Sequence, residues 1–141
     1  MKISQISVFV ENKPGHLAAP ITALAEAGVN LLTLSLADTR QFGILRLIVR
    51  DWQPARDVLT QKGFAVTVTE VLAIEVPDRP GGLAEILRIL EQARINVEYM
   101  YAFTASMGDR AVLVFRFEDP DAAMACLAQA GINVLSQVQE Y

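Results

Sequence analysis

Glu11-Asn12-Lys13-Pro14-Gly15-His16-Leu17 follows an apolar run and opens a helical pattern, and Pro77-Asp78-Arg79-Pro80-Gly81-Gly82-Leu83 does the same in the second half of the chain. Pro14 and Pro80, Gly15 and Gly81, and Leu17 and Leu83 each stand 66 positions apart. The register continues through Leu24 and Leu90, Ala27 and Ala93, Val29 and Ile95, and Asn30 and Asn96. Matched Pro, Gly, Leu, Ala and Asn at one fixed offset indicate an internal duplication, and that duplication sets the fold.

The stretch has the chemistry of a strand-to-helix turn. Pro presets φ before the helix, and Gly permits a backbone conformation or a close approach that a Cβ would block. Asn12 and Asp78 are expected to cap the turn through a side-chain oxygen. The amides of a first helical turn have no partner within the helix and carry the positive end of its dipole, which suits a carboxylate. A lone Pro-Gly reads as a turn and nothing more; two copies on one scaffold point to a site.

The 141 residues divide by the repeat into domains at 1–70 and 71–141. A unit of that size is near the lower limit for a self-sufficient core. Hydrophobic residues make up 52% of the chain and the mean hydropathy is +0.32. That surplus predicts burial of one half on the other and on a second chain, so a homodimer or larger assembly is expected. No apolar stretch reaches the length of a membrane span, and the N-terminus lacks a signal peptide's apolar core. The single Cys126 excludes an internal disulfide and a thiolate metal cluster. A formal charge of −4 without a Lys/Arg cluster argues against nucleic acid as a partner. The expectation is a cytoplasmic protein with no membrane, metal or cofactor.

Along the chain, Ile3–Val10 alternates as a strand, and Leu17, Ile21, Leu24 and Ala25 recur at helical spacing up to a C-cap at Gly28. Pro20 falls within the first turn, where its missing N–H costs little. Leu31–Ala37 and Ile44–Arg50 are strands, Pro54–Lys62 is a helix stopped by Gly63, and Ala65–Val71 alternates again. Strand, helix, strand, strand, helix, strand is the split βαβ order of the ferredoxin-like fold, an antiparallel sheet with both helices on one face. The second half repeats it: a strand at Leu72–Val76, a helix from Leu83, strands at Val97–Phe103 and Val112–Phe117, a helix at Pro120–Ala130, and a strand at Val134–Val138. Past the second strand the offset becomes 68, matching Asp51 to Asp119, Leu59 to Leu127 and Gly63 to Gly131, so two residues are added within Thr104–Arg110. The class is α+β, as two tandem βαββαβ units. Phe64–Val76 runs almost unbroken, so one unit leads straight into the next.

Little in the chain suggests catalysis. His16 is the only histidine, and its counterpart Gly82 has no side chain. Cys126 lies on a helix face as a small core residue. Val97, Tyr99, Tyr101 and Phe103 form an aromatic stripe suited to packing or an interface; the alternative, base stacking as in RNA-recognition domains of this topology, conflicts with the net charge. Acylphosphatases share the topology and hold phosphate with a loop arginine, which Arg79 or Lys13 could imitate, but their long glycine-rich cradle is missing. No nucleophile–base set or carboxylate pair stands out, and no enzyme activity is expected.

The two turns, each followed by a helix and then by Gly-Val-Asn-Leu (28–31) or Arg-Ile-Asn-Val (94–97), resemble two ACT domains. The resemblance covers essentially the whole chain and is closest to small stand-alone tandem ACT proteins, in Phe42-Gly43-Ile44-Leu45-Arg46 and Glu98-Tyr99-Met100-Tyr101. It implies a regulatory or sensor module that binds an amino acid or similar small carboxylate at interfaces between domains. The binding positions it implies are Asn12, Pro14, Gly15, His16, Leu17, Asn30 and Leu31, with Asp78, Pro80, Gly81, Gly82, Leu83, Asn96 and Val97 in the second copy. Asn12 replaces the acidic residue usual at its position, so the two sites differ. The family commonly regulates an attached enzyme, so a metabolic enzyme is the implied partner. The rival reading is a ligand-free structural module acting as a regulatory subunit.

Overall fold

The structure is a computed structural model and describes residues 2–38, 40–103 and 108–136. The chain divides into two compact units, Ser4–Thr69 and, with Met1–Ile3, Glu70–Tyr141. The first contains β1 (Ile3–Glu11), α1 (Ala18–Glu26), β2 (Leu31–Asp38), β3 (Phe42–Val49) and α2 (Trp52–Gln61). A single long strand, β4 (Ala65–Pro77), supplies the end of that unit and the beginning of the second. The second continues with α3 (Gly82–Gln92), β5 (Val97–Ala102), β6 (Arg110–Phe117), α4 (Pro120–Gln129) and β7 (Val134–Leu135). The architecture is α+β, two tandem ferredoxin-like βαββαβ units. Gln137 and Val138 of the expected last strand, and Thr104–Met107 of the expected insertion, lie outside the described residues.

Two-residue alternation decides which face each strand buries. In the first unit β3 pairs antiparallel with β1 and β2, with Ile6 opposite Leu47 and Val8 opposite Leu45. Those residues join Val10, Val49, Leu24, Ala55 and Leu59 in one core. In the second unit β4 pairs antiparallel with β6 and β7, and β6 with β5. Leu72, Ile74, Phe115 and Phe117 pack there under Ile86 and Leu90 of α3 and Leu127 of α4. The rings of Phe115 and Phe117 stack with centroids 5.7 Å apart. Each such side chain, fully buried, contributes about 1.5–3 kcal/mol.

The aromatic stripe expected on β5 is not one face. A register shift between Val97 and Tyr99 inserts a bulge, after which Met100 lies opposite Phe115. Val97 and Met100 therefore pack on the core, and Tyr99 and Tyr101 take the other face. The first unit carries the same shift between Leu31 and Thr33.

Helix ends repeat too. Gly28, Gly63 and Gly131 adopt φ of +74°, +88° and +75°, and the following amide bonds back to the last turn, as from Val29 N–H to the Leu24 carbonyl at 2.9 Å. At the end of α3 the same bond runs from Ile95 N–H to the Leu90 carbonyl, but the left-handed residue is Arg94, with φ of +57°. A side chain in that region costs about 1–2 kcal/mol, against which glycine loses about 0.4–1 kcal/mol through its freer unfolded chain. Arg94→Gly should therefore stabilise the protein by about 0.5–1 kcal/mol, read as a rise in the urea midpoint of the full chain. A fall would show that the Arg94 side chain contributes more than its backbone strain costs.

Candidate functional site

The duplicated turns are held by the same hydrogen bonds. Asn12 N–H donates to the Gln41 carbonyl at 3.0 Å and Asp78 N–H to the Asp109 carbonyl at 2.8 Å, each tying the turn to the start of the neighbouring strand. Lys13 N–H reaches the Glu11 carbonyl and Arg79 N–H the Pro77 carbonyl, both at 2.9 Å. Gly15 and Gly81 are left-handed, with φ of +84° and +89°. That conformation, rather than a close approach, is what calls for glycine at both, because an added Cβ meets nothing within 4 Å at either.

The expected side-chain caps are absent. The N-caps are Leu17 for α1 and Gly81 for α3, and neither helix start carries a side-chain hydrogen bond. Asn12 and Asp78 lie too far upstream, and their role is the backbone bond to the adjacent strand. The amides of His16 and Gly82 are also engaged, with the carbonyls of Lys13 and Arg79. Among the described residues, the amides of Gly15, Leu17 and Gly81 have no backbone acceptor.

The copies part at one position. A Cβ on Gly82 would lie 2.1 Å from the Pro77 carbonyl oxygen, so only glycine lets α3 begin there. His16 occupies that place in the first copy, and α1 begins at Ala18, two positions later in the shared register. The first helical hydrogen bond nevertheless falls at the same place in both, from Ala19 N–H to the Gly15 carbonyl and from Glu85 N–H to the Gly81 carbonyl.

Asn12, Pro14, Gly15, His16 and Leu17 are all exposed, as are Asp78, Pro80 and Gly81, while Gly82 is buried and Leu83 half-buried. Asn30 and Leu31, with Asn96 and Val97, sit at the other end of their sheets. Glu11 lies opposite Phe42 and Leu31 opposite Val49, the two ends of β3. Seven steps at about 3.3 Å each separate those ends by roughly 23 Å. The second unit repeats this, with Pro77 opposite Arg110 and Val97 opposite Phe117. No single unit brings the two groups together.

The cations of the turns are locally neutralised. Lys13 pairs with Glu11 at 3.0 Å, and its hydrogen bond and charge hold the Glu11 carboxyl below its ordinary range. Arg79 pairs with Glu85 at 3.4 Å. Among the described residues no group of three or more His, Cys, Asp or Glu could hold a metal ion, and no helix is long and apolar enough to cross a membrane. Cys126 is half-buried against the core of its unit.

Each unit also has a cavity that the sequence did not announce. In the second, about 440 Å³ opens between the end of β4, α3, the start of β6 and the segment after α4. In the first, a shallower groove of about 450 Å³ lies along α1 and is closed by Lys62 and Phe64. They occupy matching places: Ala19, Ala23, Lys62 and Phe64 of the groove correspond to Glu85, Ile89, Ala130 and Ile132 of the cavity. Of the expected site residues only Gly15 lines either one. The lining comes from short pieces scattered over the chain, none of them distinctive alone.

The ACT domain pair family matches residues 1–139. Among solved structures, protein BT0572 from Bacteroides thetaiotaomicron is 36% identical, with a TM-score of 0.90 over 96% of this chain and 92% of that one. The regulatory subunit of aspartate kinase from Thermus thermophilus, in its ligand-free form, is 19% identical with a TM-score of 0.63, covering 90% of this chain and 91% of that one. At that identity the likeness speaks to the fold alone. No curated protein matches the chain.

Gly82→Ala should destabilise the protein by about 1–3 kcal/mol, because the methyl group meets a backbone oxygen that cannot rotate away. His16→Gly, at an exposed position, should cost less than about 1 kcal/mol. Urea unfolding of both variants tests the difference. Equal effects would mean that the two turns have the same clearance.

Proposed function

The chain belongs to the ACT domain pair family, and from that premise we propose a small-molecule-binding regulatory protein with no chemistry of its own, whose ligand is an amino acid. The duplicated turn carries this reading: two left-handed glycines, one hydrogen-bond pattern and unengaged amides at the start of a helix. A ligand carboxylate would lie against the amides of Gly15 and Leu17, or of Gly81. Its ammonium would turn to an oxygen of Asn12, Asp78 or a backbone carbonyl. Several charge-assisted hydrogen bonds of about 1.5–3 kcal/mol each, less the costs of ordering, support roughly micromolar to millimolar affinity.

The distance between Asn12–Leu17 and Asn30–Leu31 bears on assembly. If Asn30, Leu31, Asn96 and Val97 share in ligand binding, another ACT unit has to bring them to the turn. A homodimer supplies such a unit, and a regulated metabolic enzyme is the partner the reading implies. The Thermus thermophilus neighbour is itself a regulatory subunit.

A thermal-shift screen of the twenty amino acids should find at least one that raises the melting temperature, since a ligand bound only to the native state stabilises it by mass action. Gly15→Asp and Gly81→Asp place a negative charge beside the ligand carboxylate. The new side chain has open space at both, so the fold should survive about 1–2 kcal/mol of left-handed strain. Calorimetry with the amino acid found in the screen should show affinity falling about tenfold or more, the equivalent of 1.4 kcal/mol. Unchanged affinity in both single variants and in the double variant would place the ligand elsewhere. Sedimentation should show a dimer or larger species at micromolar concentration; a stable monomer that still binds the amino acid would remove the homodimer from the reading.

A further inference from the structure

The cavity of the second unit has walls of two kinds. Ile86 and Ile89 of α3, Ile132 and Pro77 form an apolar side. Glu75, Glu85, Asp109, Arg110 and Asn133 form a polar side. Its volume of about 440 Å³ lies within the range of small-molecule sites. The cavity is formed by side chains of one unit, and none of the turn residues Asp78 to Leu83 lines it.

The polar side has an excess of negative charge. Arg110 donates to Glu75 at 2.7 Å, with the Glu75 side chain 12% and the Arg110 side chain 58% exposed, so these two charges offset one another. Asp109 and Glu85 remain. Glu85 meets Arg79 at 3.4 Å with both side chains more than half exposed, an arrangement that a competing cation can displace at little cost. The lining therefore holds three carboxylates against one guanidinium, which favours an incoming ammonium over an incoming carboxylate, and its isoleucines and proline offer apolar contact.

The other unit supplies an internal comparison. At the places of Glu75, Glu85, Asp109 and Arg110 it has Phe9, Ala19, Gln41 and Phe42, and at the place of Ala130 it has Lys62. The scaffold is repeated, and the polar set belongs to one copy. From the cavity, its apolar wall and this asymmetry, we propose that the second unit binds a small organic cation, an amine with an apolar body, inside this cavity. The inference is independent of the turn amides, which require a ligand carboxylate.

Calorimetry on the full chain with isopentylamine and isocaproate tests it, since the two share an apolar body and carry opposite charge. Isopentylamine should bind, and isocaproate should bind at least about tenfold more weakly. Asp109→Asn combined with Glu85→Gln should weaken amine binding by about tenfold or more, as should Ala130→Lys, which installs the other unit's residue at the mouth of the cavity. In the native chain, adding isopentylamine should shift the methyl resonances of Ile86, Ile89 and Ile132. Equal affinity for the two probes, unchanged amine affinity in the folded variants, or shifts confined to other residues would overturn the proposal. A chain whose melting temperature an amino acid raises but which neither binds nor responds to isopentylamine loses the cavity and keeps the turn reading. One that binds isopentylamine while no amino acid shifts its melting keeps the cavity and loses the turn reading.

Discussion

Ile6 and Val8 on β1 and Leu45 and Leu47 on β3 leave water together on one face of the sheet, with Ile6 opposite Leu47 and Val8 opposite Leu45. A slip of one residue would turn the whole set to the other face. Leu72 pairs with Phe115 and Ile74 with Leu113 in the second unit, which is the same register at the same places in the repeat. The turns inherit their geometry from this pairing. Once β1 and β4 are fixed against β3 and β6, Asn12 and Asp78 meet the carbonyls of Gln41 and Asp109, and the helix that follows must start within a few residues.

The parts of the molecule that obey one local rule were legible in the sequence. Alternation located the strands, glycine located three of the four helix ends, and the fixed offset revealed both units before any contact was known. Arg94 hid the fourth end, because a left-handed arginine has no signature in sequence. The β5 bulge was hidden for a similar reason: the extra residue resembles its neighbours, and only the pairing with β6 shows that Met100 rather than Tyr99 faces the core. Gly81 and Gly82 are alike in sequence, yet the two glycines meet different demands. Gly81 supplies a left-handed φ, and Gly82 gives the Pro77 carbonyl room.

The candidate sites were legible to a smaller degree, and the cause is geometric. A turn is contiguous, so its residues could be named from one stretch, and the structure does set Asn12 to Leu17 side by side. Asn30 and Asn96 are implied by the family resemblance alone, and the strand directions carry them to the opposite end of their sheets. The cavity draws Glu75, Glu85, Asp109 and Ile132 from four segments. Each reads alone as an ordinary surface or edge residue, and their convergence is a property of the fold.

Backbone amides and side chains diverge differently after a duplication. A site built from amides depends on φ, ψ and the pairing of the strands, so it persists in both copies as long as the turn does. The hydrogen bonds from Asn12 and Asp78, with the left-handed Gly15 and Gly81, show that the turn persisted. A site built from side chains can change with a few substitutions that leave the core untouched. Phe9 and Glu75 stand at matching places in β1 and β4, as do Phe42 and Arg110 in β3 and β6, and neither pair belongs to a buried core. Core packing therefore constrained these positions weakly and left their chemistry free to differ. The turn accordingly carries whatever the two units have in common, and the cavity rim carries what distinguishes them.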